Sequence, residues 1–529
     1  MGTRSHRMGR IARFGTATTL AAVAATVAGV GQGVALADPA TATPIKHLVV
    51  IFQENVSFDH YFATYPNATN PNGEPAFHAK SGTPTVNGLS PALLTHNPNS
   101  SQPQRLDRTQ NQTCDQNHDY TAEQNAFNHG LMDKFPETVG ATGSQGGTAC
   151  TAAQVMDYYD GNTVTALWNY AQNFAMSDNS YGTGFGPSTP GALNLISGNT
   201  YGALCGTLAD EIYGPVAACP AAPGASAPGV PAAPGFGTVF GDPQPNYDKC
   251  DTRGTTQMGG KNVGDQIGSG ITWGWFQGGF ADCTISHTAI GAPAAKKDYI
   301  PHHEPFQYYQ QTANPQHLPP TSTAMVGHND QANHQYDINS FWAAADANNM
   351  PAISFLKAPG YQDGHAGYSG PLDEQQFLVN TINHLESLDT WRTTAVVIAY
   401  DDSDGWYDHA MSPIMVQSQT NVDTLSASGQ CGNTVANVPT GSGGAEQARC
   451  GYGPRLPLLV ISPYARQNFV DHSLTDQSSI LRFIQDNWSL GRIGNGSTDA
   501  FAGSLNSMFD FNNRHLQRLT LDPSTGLPV

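Results

Sequence analysis

Four short apolar, β-branched runs constrain this chain more than any other feature: residues 45–52, 353–357, 394–400 and 456–462. Each reads as a strand buried inside a sheet. Helical periodicity appears between and after them, over residues 154–173, 337–348, 373–388 and 477–488. Strands separated by helical patterns and long crossovers predict a mostly parallel central sheet with helices on both faces. The tract at 214–235 is rich in Pro, Ala and Gly and the stretch at 426–453 in Gly and Ser. Both read as exposed low-complexity loops within one large domain, residues 38–529.

The first residues have a separate purpose. Arg4, Arg7, Arg10 and Arg13 precede an apolar small-residue run that ends in Ala35-Leu36-Ala37. A basic head, an apolar middle and an Ala-x-Ala exit predict a secretory signal peptide over residues 1–37. That segment carries four of the 23 Lys and Arg and none of the 42 Asp and Glu, so its removal moves the net charge from −19 to −23. A strongly acidic chain with no basic cluster argues against nucleic acid and against docking on anionic membranes. No other stretch approaches the roughly 20 apolar residues of a transmembrane helix. Eight cysteines in an exported protein predict four disulfides. Pairing in sequence order, 114–150, 205–219, 250–283 and 431–450, would staple four long loops, although it is one of about 105 pairings.

In parallel α/β sheets ligands bind beyond the carboxyl ends of the strands. The first strand runs into Gln53-Glu54-Asn55, and the third into Asp401-Asp402-Ser403-Asp404-Gly405. Glu54, Asn55, Asp401 and Asp402 form an all-oxygen set suited to one hard divalent cation, with Ca²⁺ favoured by ligand type. Turn and helix capping is the commoner role for either cluster alone; their co-occurrence at two strand ends favours the metal. A hydroxyl nucleophile is offered by Ser188 in Gly184-Phe185-Gly186-Pro187-Ser188-Thr189-Pro190, where a flexible turn leads into a helix start. Helix capping is the plainer reading of Ser188, Thr189 is the second hydroxyl, and Pro190 rules out a G-x-S-x-G elbow.

Among 18 histidines, His118, His302, His303 and His365 sit in polar loops where convergence would let them bind phosphoryl oxygens and protonate a leaving group. His328 and His334 occupy a similar loop. Gly260-Lys261-Asn262 lacks the remaining residues of a P-loop. Trp273-Gly274-Trp275-Phe276 offers faces for a choline group, but alternating aromatics in a strand are ordinarily core.

The segment Gln53 to Phe62 resembles the opening motif of the bacterial phosphoesterase family that contains secreted phospholipases C and acid phosphatase A. Phe127-Asn128-His129-Gly130-Leu131-Met132-Asp133, the Gly-Pro-Ser turn, Tyr400-Asp401-Asp402 through Asp408-His409, and Leu456 to Pro463 resemble it in the same order. The resemblance implies an alkaline-phosphatase-like three-layer α/β sandwich and hydrolysis of a phosphate ester, either a phospholipid headgroup or a small phosphoester. It implies Ser188 as nucleophile, and Glu54, Asn55, Asp401 and Asp402 as metal ligands with Ser188 beside them. His118, His302, His303 and His365 would line the phosphate pocket. Many relatives have Asp-Glu where this chain has Asp401-Asp402, which agrees better with the acid phosphatase branch. Gln477 replaces a histidine found in many relatives and favours one hard-metal site over two zinc ions. A phospholipase C-like phosphodiesterase is the leading expectation, a broad acid phosphatase the alternative. A non-catalytic exported binding protein is remote because the ligand and hydroxyl set is intact.

Overall fold

The computed structural model describes residues 40–529 except 146, 208–209, 221–230, 269, 427, 432–447 and 517. The expected signal peptide, the middle of the 214–235 tract and most of 426–453 lie outside the described residues. The main sheet has eight strands, numbered here in chain order: β1 His47–Gln53, β2 Ala175–Ser177, β3 Trp273–Gln277, β4 Gln335–Asp337, β5 Ile353–Lys357, β6 Thr394–Tyr400, β7 Leu458–Ile461 and β8 Phe469–Asp471. Their order across the sheet is β4-β3-β5-β1-β6-β7-β2-β8. β1 lies at the centre and pairs parallel with both β5 and β6. Every residue of β5 and β6 is buried, which explains why these runs do not alternate: both faces of the sheet are covered. Each large aliphatic side chain so buried contributes about 1.5–3 kcal/mol.

The expected mostly parallel sheet is present, and three of the four expected helices form close to their expected bounds, at Ile338–Asp346, Pro371–Ser387 and Ser478–Trp488. Asp337 Oδ1 caps the first by accepting from Asn339 N at 3.0 Å. The pattern at 154–173 is corrected. It divides into a 3₁₀ turn at Ala152–Met156, a short strand at Tyr158–Tyr159 and a helix at Thr165–Asn173. The break falls at Asp160-Gly161-Asn162, where Asp160 Oδ1 accepts from Asn162 N at 3.0 Å, a local turn bond that competes with the helix. β7 runs antiparallel to β6, with Val396 opposite Ile461. Arg455, three positions before β7, therefore comes to the edge where β1 and β6 end.

A second sheet of five short strands, from Tyr201–Gly206 to Thr255–Met258, occupies the long connection between β2 and β3. Its strands have only two to six residues, too few to leave a period in the sequence. The four disulfides pair in sequence order, 114–150, 205–219, 250–283 and 431–450. Among the described residues no helix is long and apolar enough to cross a membrane.

Candidate active site

The register of the central strands sets the site. Gln53 pairs with Tyr400, so the next residues, Glu54 and Asp401, leave the sheet side by side. Asn55 turns through a left-handed conformation at φ 56°, which asparagine tolerates better than most residues. Its N–H donates to Asp401 Oδ1 at 3.0 Å, and Val56 N donates to the Asp402 carbonyl at 3.0 Å. Ser188 arrives from the other direction, as the first residue of the helix Ser188–Ser197. Pro187 holds the capping position, so the hydroxyl of Ser188 does no capping. Gly191 lets this helix touch the end of β6, because a Cβ there would lie 2.1 Å from the Asp401 carbonyl oxygen. Gln477 donates to that same carbonyl and accepts from Thr183 N at 3.0 Å. It is a buttress under the ligand loop.

Ser188 Oγ lies 3.1 Å from Glu54 Oε2 and 3.1 Å from Asp402 Oδ2. All three residues are buried. Lys357, the last residue of β5, contacts Glu54 Oε1 and stands 3.9 Å from Asp401 Oδ2. Burial and the neighbouring Asp401 push the Glu54 and Asp402 carboxyls well above the usual range. Burial works against charge on Lys357, but Glu54, Asp401 and Asp363 outweigh it and raise its pKa. Three carboxylates against one ammonium leave two negative charges when all are ionised, which one divalent cation would balance. Asn55 Oδ1 and Asp401 Oδ2 are buried with no hydrogen-bond partner among the described residues. Orphaned oxygens of this kind are costly, and with the uncompensated carboxylates they fit a hard cation bound by Glu54, Asn55, Asp401, Asp402 and Ser188. Two triads of ligand-type atoms within 4.8 Å of one another, Asp115, His118 and His365 and Asp59, Asp408 and His409, lie on the segments next to this set.

The four pocket histidines are brought together. His303 Nδ1 is 3.1 Å from Glu54 Oε1, and its Nε2 is buried without a partner. His302 packs edge-on against His303 with ring centroids 4.5 Å apart. His118 Nε2 approaches Asn55 Nδ2 at 3.4 Å, and His365 faces the His118 ring at 6.2 Å. Their protonation differs. Burial lowers His302 to about 3 and His365 to about 4, and lowers His303 well below the usual value, with Lys357 adding to the effect there. Burial also opposes charge on His118, but Asp402, Asp404, Asp115 and Asp242 outweigh it and raise its pKa well above the ordinary value. Their surroundings therefore favour a proton on His118 and disfavour one on the other three.

Other sequence candidates go elsewhere. Thr189 is buried with Oγ1 on the Tyr308 hydroxyl at 3.2 Å and its N–H on Asp242 Oδ1 at 2.8 Å, bonds that fasten the helix start. Trp273 and Trp275 lie in the sheet core against His334 and Phe355, so neither ring forms a choline cage.

Lys357, Glu123 and Arg455 carry no motif signal. Lys357 was visible only as the last residue of an apolar run. Glu123 accepts from Gly186 N at 2.9 Å and from Ser403 Oγ at 2.7 Å, joining the Ser188 turn to the aspartate loop. Burial raises it to about 7. Asp404 accepts from Asn55 Nδ2 at 3.2 Å and from Gln116 N at 3.2 Å, anchoring the His118 segment. Arg455 is fully buried and donates to Asp59, Asp408 and the carbonyls of Asn87 and Asp178 at 2.7–3.1 Å. It ties together the loops that follow Glu54 and Asp402.

The profile of the Phosphoesterase family matches residues 45–491. Non-hemolytic phospholipase C of Pseudomonas aeruginosa is 23% identical over 485 residues, covering 89% of this chain and 58% of that protein. Non-hemolytic phospholipase C of Burkholderia pseudomallei is 26% identical over 512 residues, with 90% and 61% covered. Phospholipase C A of Mycobacterium tuberculosis is 24% identical over 488 residues, with 89% and 78% covered. The chain spans less than two thirds of the first two of these relatives. The matched region takes in the loops that follow β1 and β6, the Ser188 turn and His118, His302, His303 and His365, and the chain belongs to the Phosphoesterase family.

Proposed function

We propose that this chain is an exported hydrolase of phosphoric esters, of the phospholipase C type, that works through a phosphorylated Ser188. The observation that carries the reading is the Ser188 hydroxyl at 3.1 Å from both Glu54 and Asp402, at the carboxyl edge of the sheet in a chain of the Phosphoesterase family. A divalent cation held by Glu54, Asn55, Asp401, Asp402 and Ser188 would lower the hydroxyl pKa and offset phosphate charge. Ser188 Oγ attacks phosphorus, the P–O bond to the alcohol breaks, and the phosphate stays on the serine. His118, the imidazole favoured to carry a proton, supplies the proton to the departing oxygen. His302, whose Nδ1 accepts from Arg253, keeps an Nε2–H for a phosphoryl oxygen as a neutral imidazole. His303 and His365, whose Nδ1 atoms face Glu54 and the Ala366 carbonyl, would donate from Nε2 only after gaining a second proton beside the bound anion. Water then attacks the phosphoserine, releases phosphate or its monoester, and restores Ser188.

The names of the relatives support the diester reading. A second reading, a broad acid phosphatase, is favoured by a particular observation: the aromatic run that could have held choline is in the core. Hydrolysis of p-nitrophenyl phosphate and p-nitrophenylphosphorylcholine, with and without chelator, tests both readings beside Ser188→Ala. Acid quenching during turnover should yield phosphoserine in the peptide carrying residue 188. Near-normal turnover by Ser188→Ala would refute the mechanism.

A further inference from the structure

Two basic side chains flank the pocket histidines. On one side Tyr368 stacks on His365 with centroids 4.3 Å apart, and the Lys296 ammonium stands 3.8 Å over the same tyrosine ring. The Tyr368 hydroxyl is held by Asp363 at 3.2 Å, so this platform is fixed from below. On the other side Arg253 Nη2 donates to His302 Nδ1 at 3.5 Å and to the Asp242 carbonyl at 2.5 Å. His302 in turn packs on His303, which faces Glu54 and through it Ser188. Each basic side chain is one contact away from a pocket histidine.

Neither cation forms a carboxylate ion pair within 4.0 Å among the described residues. Asp363, Asp115 and Glu54 attract Lys296 from a distance while Arg253 repels it, and the Lys296 charge acts on His302, His303 and His365. In a chain with only 23 Lys and Arg and a net charge of −19, two cations without an ion-pair partner beside the same histidines locally offset the surrounding carboxylates. Such a rim raises the local concentration and affinity of anions. A quaternary ammonium needs free aromatic faces, and here Lys296 already covers a face of Tyr368.

We propose that Lys296 and Arg253 are specificity-determining residues: they favour esters with more negative charge than a simple diester phosphate and disfavour esters bearing a quaternary ammonium. The assignment rests on the hydrolytic reading above. A dianionic phosphomonoester and a diester whose alcohol is itself anionic share this chemistry.

The test measures kcat/KM for p-nitrophenyl phosphate, a glycerophosphoinositol phosphate, p-nitrophenylphosphorylcholine and, as a reference without extra charge, bis(p-nitrophenyl) phosphate. Lys296→Gln and Arg253→Gln should each lower the ratio of anionic to choline ester about tenfold, the size of a partly screened unit charge nearby. Added salt should move the wild-type ratio in the same direction. A fall confined to p-nitrophenyl phosphate identifies the dianionic phosphate as the feature read, and a fall confined to the inositol ester identifies the remote anion. Either result supports the assignment. Ratios unchanged within twofold in both variants overturn it. Calorimetry of inorganic phosphate against phosphorylcholine on the Ser188→Ala protein makes the same comparison without turnover. If no ester is hydrolysed but that binding ratio still falls in the rim variants, the hydrolytic reading fails and the rim assignment stands.

Discussion

Replacing Lys357 by methionine removes the one ammonium that contacts Glu54, while keeping the length of the side chain. Lys357 and Glu54 are 1% and 0% exposed, and Asp401 Oδ2 lies 3.9 Å from the same nitrogen. Breaking a buried ion pair by removing one partner costs about 3–5 kcal/mol, because the other charge is left buried and uncompensated. The folding equilibrium should therefore weaken roughly a hundredfold to several thousandfold in chelator near neutral pH. The loss should shrink at acidic pH, where Glu54 takes up a proton and no longer needs the ammonium. A divalent cation should stabilise the variant more than the wild type, because the repelling ammonium is gone while the carboxylates remain. Chemical unfolding of the disulfide-intact protein, followed by near-ultraviolet circular dichroism with chelator or with excess Ca²⁺, measures both effects. A variant within about 1 kcal/mol of wild type in chelator would show that Lys357 does not carry the carboxylate charge.

Arg455→Lys keeps the charge but not the planar fork that reaches Asp59, Asp408 and two carbonyls; it should cost about 2–3 kcal/mol and speed hydrogen exchange in both loops that follow the ligand residues, and unchanged exchange would count against the clamp. Glu54 and Asp402 have raised folded pKa values, so the metal-free protein binds protons that the unfolded chain releases, and their contribution to stability falls as pH rises from about 4 through those raised values. Cation binding opposes this, so the melting shift produced by Ca²⁺ should be larger at about pH 7.5 than at about pH 5, and equal shifts would contradict the charge balance drawn for the site. Removing the 114–150 disulfide, which closes a 36-residue separation beside His118, should cost about 4 kcal/mol, read by unfolding of the double serine variant. Glu123→Gln should slow turnover about tenfold by loosening the bonds to Gly186 and Ser403, with near-normal kcat arguing that the two loops are positioned independently.

The central strands and the residues that follow them were legible because the information is local. An unbroken apolar run must be buried, and chain connectivity then places the next residue, Glu54 or Asp401, at the edge of the sheet. The cysteine pairing and the turn before Ser188 are local in the same sense. The break within 154–173 was also written locally, in Asp160-Gly161-Asn162, but the apolar period on either side concealed it. Lys357 and Arg455 are different. Lys357 meets Glu54 only because β5 is the neighbour of β1, and Arg455 reaches Asp59 and Asp408 only because β7 runs antiparallel. Neither strand order nor strand direction is encoded in the residues of a single run. The convergence of His118, His302, His303 and His365, and of Lys296 with Arg253 above them, depends on loops separated by tens to hundreds of positions. Their positions and surroundings come from long-range packing and from the burial it imposes, so only the tertiary structure could decide which imidazole is favoured to carry a proton and which cations stand beside the histidines.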